Sequence, residues 1–318
     1  MKSVRSANFL QVDHEVRRVL AEEGVTILPS PEAYRELKWT REHFEREPRE
    51  GYFIWVKKQI DHPVTTCISI SSPRVSQHPT NLVVIEKNIE VEMSNICNAT
   101  GKNLCGSHMG HSKVVVKEDS LLKMRHVQKW GKRDTVGSDL KFLLGKGARL
   151  SYIYRCLDAP KTLKTMNNTF LDTRSSANFE IAVLANEGSV EMHDSTFLNG
   201  EKSSGTTRVR MIADEKSRIY AHSKMIANNA GIGHLDCMGL LLTENSSINA
   251  IPELINKNKN ASLTHEASVG RISEETLNYL RSRGLTEDKA IDLIVTGFLR
   301  EEAPFTYKGR ALPSKLHM

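Results

Sequence analysis

KEDSLLKMRHV (117–127), GKGARLSYIYR (145–155) and RSSANFEIAVL (174–184) share one pattern, a polar corner followed by alternating apolar and polar side chains. Alternation with a period of two puts every second residue on one face of a strand, and Gly, Asp and Ser mark where the strand stops. Anchored at Ser120, Ala148 and Ala177, the segments repeat in steps of 28 and 29. A second series, NEGSVEMHD, DEKSRIYAH and ENSSINAIP, is anchored at Gly188, Ser217 and Ser246 and repeats in two steps of 29. A third, FLLG, FLDT, FLNG and MIAN, begins at Phe142, Phe170, Phe197 and Met225, with steps of 28, 27 and 28.

A period near 28 built from short strands and polar corners predicts a solenoid, in which each turn stacks on the one before. Leucine-rich repeats would show fixed leucines and an Asn, and propeller blades need about 40 residues, so neither suits. The expected fold is mainly β, a parallel β-helix whose inward Phe, Leu, Ile and Val side chains form a continuous core. A large antiparallel sandwich is the competing architecture. The ends of such a stack expose unpaired strand edges and require capping by helices or by a partner chain.

Three segments follow: an N-terminal helical segment (1–51), a β-helix core (52–269) and a C-terminal helical segment (270–318). In DHEVRRVLAEEG (13–24), Val16, Val19 and Leu20 share a helical face and Gly24 ends the pattern. SPEAYRELKWTREHFERE (30–47) follows, with Ser30 as N-cap, Pro31 at the first helical position, and Tyr34, Leu37 and Trp39 as apolar surface. Near the other end, Ser273 opens a helix with Leu277 and Leu280 on its apolar face, and Gly284 closes it. Thr286 caps a second helix in which Ala290, Leu293, Ile294, Phe298 and Leu299 recur at helical spacing. Such a hairpin either packs on its own body or presents an apolar stripe to another protein.

With 39% hydrophobic and 26% charged residues among 318, the chain has the balance of a soluble globular protein. It contains no run of 18 apolar residues, so no membrane span is expected, and its first residues lack the apolar core of a signal peptide, which points to the cytoplasm. The net charge of +6 comes from scattered Lys and Arg, which describes a solvated surface rather than a nucleic-acid stripe. Five cysteines (Cys67, Cys97, Cys105, Cys156, Cys237) suit free or metal-binding thiols better than a disulfide framework.

Enzyme signatures are scarce: no phosphate loop, dinucleotide fingerprint, nucleophile elbow or HExxH occurs. Polysaccharide-cleaving β-helices use charged clusters along one face, and RVRM (208–211) and EMHD (191–194) resemble these only weakly. Metal ligands are better represented. Cys237 lies in IGHLDCMGLLL with His234 three residues earlier, and His265 and Glu266 follow Cys237 at intervals of 28 and 29, one solenoid turn. The thiol and one member of the pair are therefore expected on the same face of adjacent turns, while strand alternation sends the other away. A thiolate, an imidazole and a carboxylate together suit iron or zinc rather than calcium or magnesium. The alternative is that Cys237 is a small buried hydrophobe and His265 a loop residue. CNATGKNLCGSHMGH (97–111) gathers Cys97, Cys105, His108 and His111 in a spacing that matches no standard zinc finger. Cys67 and Cys156 read as packing residues.

HEASVGRISEETLNYLRSRGLTEDKAIDLIVTGFL (265–299) resembles the C-terminal signature of the SufB/SufD family of iron–sulfur cluster assembly proteins. CNATGKNLCGSHMGHSKVVVKEDSLLKMRHVQKW (97–130) is similar to the SufB stretch in which a cysteine precedes a His-containing turn and a QNW-like end, and the likeness extends over residues 80–305. This resemblance implies a right-handed parallel β-helix flanked by helices, and a non-enzymatic scaffold on which a two-iron or four-iron cluster is built transiently and passed to apo iron–sulfur proteins. It implies homodimers, or heterodimers with a paralogue, and docking of a SufC-type ABC ATPase on Leu277, Leu280, Leu293, Ile294 and Phe298. The SufB cysteine set at an interval of 15 before a VP proline matches Cys237, which precedes Pro252 by the same interval. The SufB His-Glu pair falls on His265 and Glu266, and Cys97, Cys105 and His108 are secondary candidates. Two departures stand out: Thr264 occupies a position where SufB usually carries Glu, and the chain is shorter than ordinary SufB. It thus resembles the compact, chiefly archaeal SmsB-type versions, which would pair with themselves. A SufD-like partner that binds the ATPase without holding a cluster is the alternative.

Overall fold

The computed structural model describes residues 7–299, together with the backbone of the short strands Thr306–Tyr307 and Arg310–Ala311. The rest of the expected C-terminal segment beyond residue 299 lies outside the described residues. The chain winds between two ten-stranded sheets, and from Val64–Ile70 to Ser262–Arg271 the first sheet is a continuous parallel ladder. The second is parallel from Tyr52–Val56 to Ser247–Asn256. Each strand lies roughly 4.8 Å from its ladder neighbour. The solenoid expected from the sequence period is the observed fold.

Strict alternation makes the core. In Ser189–Leu198, Val190, Met192, Asp194, Thr196 and Leu198 are buried and the intervening residues are not. Phe142, Tyr152 and Phe179 meet inside, their ring centroids 5.2 to 5.8 Å apart in edge-on contacts. One corner column is built from left-handed residues, Asp119 (φ 55°), Gly147 (φ 68°), Arg174 (φ 58°) and Lys202 (φ 58°). Each donates its N–H to a carbonyl of the following turn, which secures one corner through four successive turns. At Gly147 a Cβ would lie 2.0 Å from Asp119 Oδ1, so this corner requires glycine twice over.

The ladder corrects two of the three repeat alignments. Ala177 pairs with Leu150 rather than Ala148, a two-residue difference that keeps the faces. Phe170 pairs with Leu143, and Phe197 pairs with Ile226 rather than Met225; these one-residue slips exchange inside for outside. Phe142 therefore points into the core, while Phe170 and Phe197 stack outside it at 4.6 Å. The Gly188, Ser217 and Ser246 series stands as read, because Ser189 pairs with Arg218 and Arg218 with Ser247.

The N-terminal segment departs from the expected helix. Ala7–Val12 and Glu15–Leu20 form an antiparallel hairpin around Asp13 (φ 53°), and Val25–Pro29 is a further strand. EVRRVL satisfies helical and strand spacing alike over six residues, and pairing of Ala7–Val12 with the parallel strand Val64–Ile70 decides for strand. Helix α1 (Ser30–Glu36) is shorter than expected, with Pro29 as N-cap rather than Ser30, and leads into a 3-10 turn at Lys38–His43. Tyr34, Leu37 and Trp39 cover the outer face of the second sheet over Phe53, Leu82 and Val84.

The C-terminal hairpin forms as read. Ser273 caps α2 (Glu274–Ser282) by accepting from Thr276 N–H, and Gly284 (φ 89°) ends it. α3 (Glu287–Leu299) lays Val295 and Leu299 on Ala182, Leu184, Ile212 and Leu240, the outer face of the first sheet. No helix among the described residues is long and apolar enough to cross a membrane.

The register carries a direct test. Phe142→Ala should lower the unfolding free energy by about 3–5 kcal/mol, measured in urea, because it opens a cavity in the core. Phe170→Ala should cost about 1 kcal/mol, the worth of an outer aromatic contact.

Candidate functional site

Strand Gly231–Leu241 carries Cys237, and Ser262–Arg271, the last strand of the first sheet, lies on it with Leu235 opposite His265, Asp236 opposite Glu266 and Cys237 opposite Ala267. Leu235 and Cys237 face the core. Leu263 packs against that core too, so His265, two residues on, shares its side. The sequence interval put one of His265 and Glu266 on the face of Cys237 in the adjacent turn; in the ladder that residue is His265, while Ala267 lies directly opposite the thiol. His265 keeps the thiol's face but stands two residues along, on the order of 8 Å between backbone positions. Glu266 faces the opposite way. Both are exposed, as is nearly all of this strand, because no further strand among the described residues stacks on it.

Cys237 is 1% exposed, and burial pushes its thiol up to about 11, with Asp194 and Asp236 adding to the rise. Against this act a hydrogen-bonding interaction with Ser223 and the positive charge of Arg210. On the outer face beside Cys237, Asp236 accepts from Arg210 Nη1 at 2.9 Å and Nη2 at 2.7 Å, and from Arg208 Nε at 3.1 Å. Burial alone would raise the Asp236 carboxyl, but these guanidinium bonds outweigh it and hold the group ionised. Thr264 meets His234 Nδ1 at 2.8 Å, tying the last two strands together on that face.

Residues 97–111 do not converge. His108 is buried, donates from Nδ1 to Gln77 Oε1 at 3.0 Å and stacks 4.9 Å from Trp130; burial pulls it down to about 3, so it is a neutral core histidine. His111 is on the outer face, 3.6 Å from Asp139. Burial raises the Cys97 thiol to about 12, with Cys67 adding to it, whereas Cys105 is exposed in a left-handed corner (φ 54°). Cys156 is fully buried and equally protonated, at about 12. Among the described residues no group of three or more His, Cys, Asp or Glu side chains stands close enough to hold a metal ion.

The helical candidates divide. Ile294 and Phe298 pack against the cluster that seats α3, while Leu293 and Tyr279 are exposed and Leu277 and Leu280 half-buried. Asp194 was not singled out by its chemistry, although alternation with Val190 and Met192 places a carboxylate at a core position. It is 6% exposed, accepts from Asn167 Nδ2 at 2.6 Å, and leaves Oδ2 without a partner.

Burial raises the Asp194 carboxyl from 3.8 to about 6. A folded-state value above the unfolded one means that the native state binds the extra proton between those values, so this group destabilises the fold as pH rises through that window. The loss approaches about 3 kcal/mol above pH 6, at about 1.4 kcal/mol per unit. Asp194→Asn should therefore gain stability relative to the parent at pH 7.5 and converge with it below pH 4, in urea titrations at several pH values.

A model of the family described as "SUF system FeS cluster assembly, SufBD core domain" matches residues 68–298. An iron-sulfur cluster assembly SufBD family protein of Archaeoglobus fulgidus is 29% identical over 321 residues, covering 95% of this chain and 86% of its own. One of Methanothermobacter thermautotrophicus is 28% identical, covering 93% of this chain and 78% of its own, and one of Pyrococcus horikoshii is 25% identical, covering 88% and 67%. The matched span takes in Cys237, the final strand with its His265, and the two C-terminal helices, so the chain belongs to the SufBD core-domain family of the SUF system of iron–sulfur cluster assembly.

Proposed function

We propose that this chain is a scaffold on which an iron–sulfur cluster is assembled and from which it is handed on, without catalysing a reaction of its own. The observation that supports this best is the open end of the solenoid. Among the described residues the last strand offers an edge with no neighbour, with His265 on the face of Cys237, one turn away. Unpaired edges are templates for another strand, and a second copy of this chain supplies one by two-fold symmetry. Two such ends brought together gather two thiols and two His-Glu pairs, which supplies the donors that a single chain lacks. Glu266, on the face opposite Cys237, then serves the half of the site contributed by the second copy or orients its neighbours.

The cluster is cargo. Cys237 contributes a thiolate, His265 an imidazole and Glu266 a carboxylate, a mixed set that binds iron less tightly than four thiolates and suits release to apo iron–sulfur proteins. A SufC-type ABC ATPase docks on the hairpin of α2 and α3, where Leu293 and Tyr279 are open to it. Its cycle acts through α3 on the outer face of the sheet that carries Cys237. The working place is the cytoplasm. A second reading, a SufD-like partner without a cluster of its own, is favoured by the buried, protonated state of Cys237 and by Thr264.

Anaerobic reconstitution with iron and sulfide should give visible absorption that Cys237→Ala removes and His265→Ala weakens. A colourless parent protein supports the second reading instead, and colour indifferent to both changes rules out Cys237 and His265 as ligands. Val269→Glu, a charge on the exposed end, should convert the dimer to monomer in light scattering and remove the colour with it. Leu293→Asp should abolish binding of the ATPase in a pull-down while leaving reconstitution intact.

A further inference from the structure

The outer face of the second sheet carries a column in which Met166, His193, His222 and Ile251 are ladder partners in successive turns. All four point outward, because the residues on either side of each in its strand turn toward the core or its rim. The ring centroids of His193 and His222 stand 6.2 Å apart. Met166 and Ile251, 41% and 37% exposed, flank the two rings, so the imidazoles lie between apolar side chains. The Tyr220 ring stands beside both, 5.7 Å from His193 and 6.5 Å from His222.

Each imidazole is held at one nitrogen. His193 Nε2 donates to Glu191 Oε1 and His222 Nε2 donates to Glu253 Oε2, both at 2.7 Å. An ionised carboxylate can only accept, so the proton sits on Nε2 in both neutral rings and the Nδ1 lone pair stays available. No other hydrogen bond among the described residues engages either ring. The carboxylates have cationic partners without the imidazoles: Lys164 reaches Glu191 Oε1 and Lys224 reaches Glu253 Oε2, each at 3.0 Å. A further exposed ion pair would add little stability. What the carboxylates do instead is fix the tautomer and the angle of two adjacent rings, as a carboxylate does for a metal-bound histidine.

We propose that His193 and His222 together bind one divalent cation of the zinc type through their Nδ1 atoms, with water completing the coordination. Imidazole nitrogen suits zinc, copper and nickel, whereas calcium and magnesium take oxygen donors. With Zn–N bonds of about 2.0–2.1 Å, two rings on one tetrahedral cation stand roughly 5 Å apart, so a modest side-chain rotation closes the present gap. Glu191 and Glu253 stay on the far nitrogens, where their charge makes the imidazoles better donors. The protein therefore contributes two donors rather than a closed cage, and the cation exchanges with solvent. The site shares no residue with Cys237, His265 or Glu266 and stands whether or not those hold a cluster.

NMR of the full chain with isotope-labelled histidine reads the ring nitrogens directly, with Cys105→Ser removing the exposed thiol as a competitor. The signals of His193 and His222 are assigned by their loss in His193→Ala and His222→Ala. On titration with zinc chloride, the Nδ1 signals of both rings should move together and saturate at one zinc, while both Nε2 atoms keep their protons. Calcium chloride should move neither. Either alanine substitution should abolish the response of the remaining ring at the zinc concentration that saturates the parent. Glu191→Ala and Glu253→Ala should each weaken binding about ten-fold. Zinc that leaves both signals in place, or moves one without the other, overturns the proposal. Affinity indifferent to both carboxylate changes overturns the part given to Glu191 and Glu253.

Discussion

The pairing of each strand with the strand one turn later determines the rest of this structure. A parallel ladder transmits side-chain direction from turn to turn, so one register error would exchange the core and the surface for every turn beyond it. The hydrophobic rows inside, the left-handed corner column at Asp119, Gly147, Arg174 and Lys202, and the outer guanidinium–carboxylate contacts of Asp236 all keep this register. The same pairing has to stop somewhere. Where it stops among the described residues, at Ser262–Arg271, the last inward side chains lie open. His265 owes its exposure to that ending, and Cys237 its burial to lying one turn earlier.

Because the site sits at the end of a core, its chemistry is governed by desolvation. A thiol raised to about 11 is inert until something nearby stabilises its anion. Two influences within the last turns act in that direction: the positive charge of Arg210 on the outer face and the Ser223 hydroxyl on the inner face. The outer source adjoins the helical hairpin. Arg210 is two residues from Ile212, on which α3 rests, and Cys237 is three residues from Leu240, which belongs to the same cluster. The apolar seat of the helix and the thiol thus share two adjacent strands.

Much of this was legible in the residues. The solenoid and its turn length followed from alternation and corners, because both arise from local geometry and recur in every turn. Ser273, Gly284 and Thr286 announced the C-terminal hairpin by ordinary capping chemistry. The hairpin at Glu15–Leu20 was not legible, since EVRRVL is too short to distinguish the two periods and the parallel strand that anchors the hairpin, Val64–Ile70, is remote in the sequence. Turn length varies too: Cys237 lies opposite Ala267, a step of 30, whereas Leu143 lies opposite Phe170, a step of 27. Sequence spacing alone therefore named Cys237 and His265 as neighbours but could not fix their offset. Asp194 was hidden within EMHD because its meaning depends on which parity faces inward, and the ladder supplies that.

The Mössbauer spectrum of protein prepared anaerobically tests most directly whether Cys237 and His265 hold a cluster. The expected spectrum is that of a sulfide-bridged cluster with at least one iron site distinct from the all-sulfur sites, absent from Cys237→Ala and altered in His265→Ala. Iron present only as isolated ferrous ions, or a cluster spectrum unchanged by both substitutions, would contradict it.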